Sequence, residues 1–273
     1  RKNMIAIVTD STVGYSSAEI SSRGIVKVVP VNYQIGAKFF EERPSDKNGN
    51  FLPLIRGEKC KTAQPALSHF ISAFNSLVSA GHEVICIVMS SALSGTYSSA
   101  KFAAGEVGGK IYVLDSETVG MGMHLLVDEA VNMINGGFDF EHTVEHLEAL
   151  KKKIRIVFTV ETLDNLRAGG RLISAKGKIN FNYKPIFDLY KKLTFRCNAR
   201  LARDRLQLLC EALPDNTRRI IVARCGETKQ ADELAALIAH RFAHIRVHRR
   251  ELGPVLSIHT GEGAFGVAFV TQD

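Results

Sequence analysis

The sequence predicts an α/β fold in two domains: an N-terminal Rossmann-like domain with a three-layer parallel sheet over residues 1–150, and a C-terminal two-layer α/β domain with a mixed sheet over residues 151–273. Three observations carry this. The apolar runs Ile5-Ala6-Ile7-Val8, Val84 to Met89 and Ile111-Tyr112-Val113-Leu114 are continuous, as expected of strands covered on both faces. Helical patterns of 3–4 spacing alternate with them. Each run ends in hydroxyls or carboxylates: Thr9-Asp10-Ser11-Thr12, Ser90-Ser91 and Asp115-Ser116-Glu117. Ligands of such sheets bind beyond the carboxyl ends of the strands, so these three loops are expected to converge on one crevice.

Taken in order, the first strand is followed by an irregular stretch over residues 33–61, rich in glycine and proline, which reads as a small insert or lid. Phe70, Ile71, Phe74, Leu77 and Val78 mark a helix after Gln64-Pro65. Leu126, Val127, Ala130, Val131 and Ile134 mark another that stops at Gly136-Gly137. In the second half, Ile154 to Val160 reads as a strand and Glu161 to Ala168 as a short helix ended by Gly169-Gly170. Ile220 to Ala223, the amphipathic Ala231, Leu234, Leu237, Ile238 and Phe242, then Ile245 to His248 form a β-α-β unit. Pro254 to His259 and Phe265 to Val270 read as closing strands around a glycine-rich turn. With no long linker between the halves, a ligand cleft between the two domains is expected.

Composition excludes several classes. The 45% apolar and 23% charged shares match an ordinary soluble globular protein. No apolar run approaches the roughly 20 residues of a membrane helix. Arg1-Lys2-Asn3-Met4 leads directly into a strand without signal-peptide grammar, so a cytoplasmic protein is expected. Five cysteines, an odd number without C-x-x-C spacing, argue against a disulfide framework and a zinc site. No HEXXH or EF-hand segment occurs, and no metal is implied. The net charge of +7 is scattered without interleaved aromatics. Solvated faces, or a docking surface for an acidic partner or anionic substrate, both account for it; a regulatory binding module using that surface is a further alternative.

The stretch from Val84 to Ala100 is the most informative. A strand breaks into Ser90-Ser91-Ala92-Leu93-Ser94-Gly95-Thr96 and then a helix start, a place where hydroxyls, backbone N–H groups and the helix dipole favour an anion. Ser94, then Asp115, Asp164 or Asp188, then His259 follow the serine–acid–histidine order of α/β-hydrolases. The nucleophile elbow, however, needs glycines where Ala92 and Thr96 stand, so an esterase is the alternative reading rather than the leading one. The G-x-G-x-x-G within His259 to Gly266 precedes a strand near the chain end, which excludes a dinucleotide fingerprint. Gly108-Gly109-Lys110 runs into Ile111, so it reads as a hairpin-like turn rather than a phosphate loop. His259, expected at a strand end beside glycines, is either a donor to an anion or a structural or solvated histidine. Arg171 either clamps a carboxylate or phosphate, or satisfies the last carbonyls of a helix. Thr62 either serves a ligand or caps a helix locally.

Six collinear blocks now resemble the DegV family: Val8-Thr9-Asp10-Ser11-Thr12, Lys61-Thr62-Ala63-Gln64-Pro65, Ser90 to Ala100, Gly169-Gly170-Arg171-Leu172-Ile173, Lys184-Pro185-Ile186 and Gly253 to Gly261. The resemblance implies a protein that binds one long-chain fatty acid between two α/β domains, similar to the B component of bacterial fatty acid kinase. A separate dihydroxyacetone-kinase-like subunit would supply ATP and magnesium and phosphorylate the carboxylate, feeding phospholipid synthesis; this chain would itself be neither enzyme nor cofactor carrier. Carried over by position, Thr62, Ser94, the Gly95 N–H and His259 would hold the carboxylate, and Arg171 would serve phosphate transfer or partner contact. Asp10, Ser11, Asp115 and Ser116 would organise the loops. Three departures stand out: Ala63 replaces a usual serine, Glu262 a common proline, and Leu189-Tyr190-Lys191-Lys192 an Asp-Gly turn.

Overall fold

Residues 4–172 and 182–272 are described by a computed structural model. Arg1, Lys2 and Asn3, and Ile173 of the Gly-Gly-Arg block, lie outside the described residues. The chain divides into two units, Arg1–Lys152 and Lys153–Asp273.

The first unit runs β1 (Ile5–Asp10), α1 (Ser17–Arg23), β2 (Val26–Val29), β3 (Asn32–Ile35), β4 (Lys38–Glu41), α2 (Leu52–Ile55), β5 (Cys60–Ala63), α3 (Leu67–Ser79), β6 (Glu83–Val88), α4 (Thr96–Val107), β7 (Ile111–Asp115), α5 (Met121–Asn135) and α6 (Phe140–Leu150). A parallel sheet in the order β2-β1-β6-β7 forms its centre. Ala6 and Val8 of β1 with Val84, Cys86 and Val88 of β6 pack against Phe70 and Phe74 of α3 and Ala100 and Ala103 of α4. The alternate residues Ile7, Ile85 and Ile87 are equally buried. Their face receives α5, whose Met123 sulfur accepts from the Thr9 hydroxyl at 3.8 Å. Burial on both faces explains the unbroken apolar runs.

The order of the sheet reverses between β1 and β6, so the loops after these two strands leave the sheet at its switch point. The stretch over residues 33–61 is more regular than its sequence suggests. β3, β4 and β5 form an antiparallel sheet in the order β4-β3-β5, with Tyr33 stacked on Phe40 at 5.2 Å. Strands of four residues are too short to show a period of two, which hid them. Gly108 and Gly109, with φ of 72° and 83°, join α4 to the parallel strand β7, so that turn is a helix-to-strand connection and not a hairpin.

The second unit runs β8 (Ile154–Thr159), α7 (Asp164–Ala168), β9 (Lys184–Tyr190), β10 (Lys192–Ala199), α8 (Ala202–Glu211), β11 (Thr217–Arg224), α9 (Lys229–Arg241), β12 (Val247–Glu251), α10 (Pro254–Thr260) and β13 (Phe265–Thr271). The mixed sheet has the order β10-β9-β8-β13-β11-β12, with only β11 and β12 parallel among these pairs. Leu209 of α8 and Leu234 and Ile238 of α9 close one core over Val157, Ile186, Ile220, Val267 and Phe269. The β9–β10 hairpin escaped the sequence reading because Lys191, not glycine or asparagine, takes the left-handed turn position at φ 63°. Among the described residues no helix is long and apolar enough to cross a membrane.

Pro254 to His259 is a helix, correcting the strand expected there. Pro254 sits in the first turn, where its fixed φ suits a helix and its missing N–H costs nothing. The buried Pro254, Val255, Ser257 and Ile258 follow helical spacing.

Candidate functional site

In the first unit, the loop after β6 is held by carboxylates from the neighbouring strand ends. Asp10, fully buried at the end of β1, accepts the Met89 N–H at 2.8 Å, the Thr12 N–H at 3.0 Å and the Thr12 hydroxyl at 2.5 Å. Burial pushes its carboxyl above the usual range, and those hydrogen bonds pull the other way. Asp115, ending β7, accepts the Ser91 hydroxyl at 2.5 Å and the Ser91 N–H at 3.2 Å. The Ser116 N–H donates to the Val88 carbonyl, the Ser90 N–H to the Thr118 carbonyl, and the buried Ser116 hydroxyl to Thr118 O at 3.1 Å. Ser11 acts at a different wall: its hydroxyl donates to Glu42 at 2.8 Å and accepts the Val31 N–H at 2.9 Å. Both strand-end loops are thereby stitched to the serine loop between them.

The fixed loop presents Ser94 and Gly95 at the head of α4. Gly95 is the N-cap, exposed, with φ −74°. The half-buried Ser94 accepts the Thr96 N–H at 3.3 Å and lies 2.9 Å from the Thr96 hydroxyl oxygen. A 12-residue helix points its N-terminal partial positive charge at this spot. Thr62 lies on β5, paired with Tyr33, so it is no helix cap; the N-cap of α3 is Ala66, which makes no side-chain cap bond. Two residues further, Gln64 donates to the Ser99 hydroxyl at 2.8 Å, and its side-chain oxygen occupies the space a Cβ at Gly95 would need. Gln64 thus ties the Thr62 strand to the serine loop. Sequence reasoning assigned it nothing, although it shares a block with Thr62.

In the second unit, His259 lies near the C-terminus of α10 and Arg171 just past α7. The His259 ring rests on the backbone of Gly169, where a Cβ would overlap Nδ1. Arg171 donates to the Gly169 carbonyl, so it does serve the end of α7. Asn165 donates to Ile258 O at 3.1 Å, and its side-chain oxygen lies 2.7 Å from where a Cβ at Gly261 would stand. The left-handed Gly261, φ 80°, is therefore needed both for its conformation and for its lack of a side chain. Asn165 is a second residue that the sequence did not single out. Desolvation first, and the Arg171 charge second, hold the His259 pKa down at about 4. At neutral pH the ring is uncharged and offers one N–H.

Ser94 has the Thr96 hydroxyl, not a general base, as its side-chain partner. In a hydrolytic triad the serine is hydrogen-bonded to histidine and the acid partner raises the histidine pKa. Here Ser94 Oγ pairs with Thr96, and the shift of His259 is downward. Asp115 is committed to Ser91, Asp188 to Arg196 at 2.8 Å, and Asp164 is exposed in the first turn of α7. The esterase alternative has no support in this geometry. Among the described residues no group of three His, Cys, Asp or Glu side chains is arranged to hold a metal ion. Glu262 and Ala63, the two departures nearest the site residues in sequence, are both exposed.

The chain is similar to known proteins over nearly its whole length. A family model described as "Uncharacterised protein, DegV family" matches residues 4–272. A DegV domain-containing protein of Staphylococcus aureus (strain COL) is 30% identical over 275 aligned residues, covering 97% of this chain and 98% of the relative. One from Halalkalibacterium halodurans is 30% identical over 282, covering 98% and 99%. Among solved structures, a DegV family protein from Thermus thermophilus described by its fatty acid binding superimposes with a TM-score of 0.90 at 24% identity, covering 98% of this chain and 100% of that one. DegV from Bacillus subtilis, described as a fatty acid binding protein, gives 0.86 at 26% identity over 99% and 100%.

Proposed function

The chain belongs to the DegV family, and from that premise we propose that it binds one long-chain fatty acid and presents the carboxylate to a separate ATP-dependent kinase. The observation that carries the reading is the hydroxyl-bearing head of α4, where Ser94 and the Gly95 N-cap sit on a loop braced by Asp10 and Asp115. The Ser94 and Thr62 hydroxyls, the Gly95 N–H and the neutral His259 imidazole are the proposed donors to the carboxylate. They supply polar partners to a head group whose burial unpaired would be costly. Removing the acyl chain from water contributes about 0.8 kcal/mol per methylene, offset by ordering.

Ser94, bonded to Thr96, has no role as nucleophile in this reading. ATP and magnesium belong to the kinase partner, a dihydroxyacetone-kinase-like subunit, and Arg171 serves phosphate transfer or contact with it. We place this carrier in the bacterial cytoplasm. The site is tested by measuring palmitate affinity of the Ser94→Ala, His259→Ala double variant. The expected loss is at least tenfold, the size of one hydrogen bond to a charged group. Unchanged affinity removes the assigned carboxylate site.

A further inference from the structure

Thr96 is fully buried at the first position of α4, and its hydroxyl oxygen lies 2.9 Å from Ser94 Oγ. Among the described residues Ser94 Oγ is the one hydrogen-bond partner of the Thr96 hydroxyl. A buried hydroxyl hydrogen with no acceptor is strongly disfavoured, so the direction of this bond is decided by burial: Thr96 donates and Ser94 accepts. Ser94 Oγ also accepts the Thr96 backbone N–H at 3.3 Å. A serine oxygen has two lone pairs, and both are now engaged. The hydrogen of the half-buried Ser94 is thereby left for a partner other than Thr96.

We infer that Thr96 is a positioning residue that makes Ser94 a donor only, so that the site selects head groups that accept hydrogen bonds over head groups that must donate one. The inference rests on the fatty-acid reading for the identity of the acceptor. A carboxylate, which only accepts, suits a donor-only Ser94. A fatty alcohol of the same length carries a hydrogen that this serine has no lone pair to receive.

The test uses delipidated full-length protein and two probes, palmitate and hexadecan-1-ol, each competing against a fluorescent fatty-acid analogue. Thr96→Val keeps the shape and the backbone N–H but frees one lone pair of Ser94. The carboxylate-to-alcohol affinity ratio is expected to fall about tenfold, one hydrogen bond's worth of discrimination. Thr96→Ser restores it. In a Ser94→Ala background, Thr96→Val leaves the ratio unchanged, because Thr96 acts through Ser94. Thermal melting checks folding, and Thr96→Ala, with the same expected fall in ratio, replaces Thr96→Val should the latter not fold. An unchanged ratio in folded Thr96→Val, or in folded Thr96→Ala where it replaces Thr96→Val, overturns the inference, as does an equal fall in the Ser94→Ala background. If the wild-type protein binds no palmitate at all, the fatty-acid reading falls and takes the inference with it, a result distinct from the other two.

Discussion

The side chain of Gln64 lies against the backbone of Gly95, its oxygen filling the volume of the missing Cβ while its amide donates to Ser99 at 2.8 Å. The φ of −74° at Gly95 would suit any residue, so close approach and not conformation requires glycine there. Gly95→Ala is expected to displace Gln64 and forfeit its bond to Ser99, costing about 1 kcal/mol. Gln64→Ala should cost a similar amount, and the double variant no more than either single one. Urea denaturation of the three variants checks this through their non-additivity.

His259 gives the fold an acid sensitivity. Its pKa of about 4 in the folded protein lies below the ordinary 6.5. Between these values the unfolded chain binds a proton that the folded one does not, so stability falls as pH drops from about 6.5 to about 4 and this contribution is constant outside that window. His259→Gln should flatten that part of the profile, read as the difference between wild-type and variant melting curves from pH 7 to pH 4. Bound carboxylate should also raise the His259 pKa, visible in NMR titration of the ring.

Asp10 receives three donors in a fully buried setting. Asp10→Asn keeps the size but turns an amide NH₂ toward one of those donors. About 2 kcal/mol of destabilisation is expected, the cost of unsatisfied buried polar groups, along with weaker retention of fatty acid as the Met89–Ser91 loop loosens. Chemical denaturation and a palmitate titration measure the two effects.

Arg171→Ala should separate binding from transfer. Palmitate affinity is expected to stay within about threefold of wild type, because the carboxylate donors are assigned elsewhere, while phosphorylation by the cognate kinase drops about tenfold or more. Normal turnover would remove Arg171 from the transfer step.

Much of this was legible in the sequence. The buried strands β1 and β6 announce themselves by unbroken apolar runs because both faces are covered, the edge strand β7 carries a similar run although only Val113 and Leu114 are buried, and the polar ends of the three mark the loops that Asp10 and Asp115 brace. The hydroxyl-rich head of α4 was equally plain. What escaped depends on packing across the chain. Gln64 gains its role only by meeting Gly95 and Ser99, and Asn165 only by meeting Ile258 and Gly261. α10 is a helix where the sequence suggests a strand, although Pro254 after Gly253 is a helix-start signal. The direction of the Ser94–Thr96 bond rests on burial, which no local pattern records.

The central claim, that this chain carries a fatty acid, is tested most directly by the lipid content of the protein itself. Protein purified from a bacterial host and extracted with organic solvent should release close to one long-chain fatty acid per chain by mass spectrometry, and delipidated protein should take up added palmitate in the same ratio. An extract without fatty acid, together with no uptake of palmitate, would contradict the account.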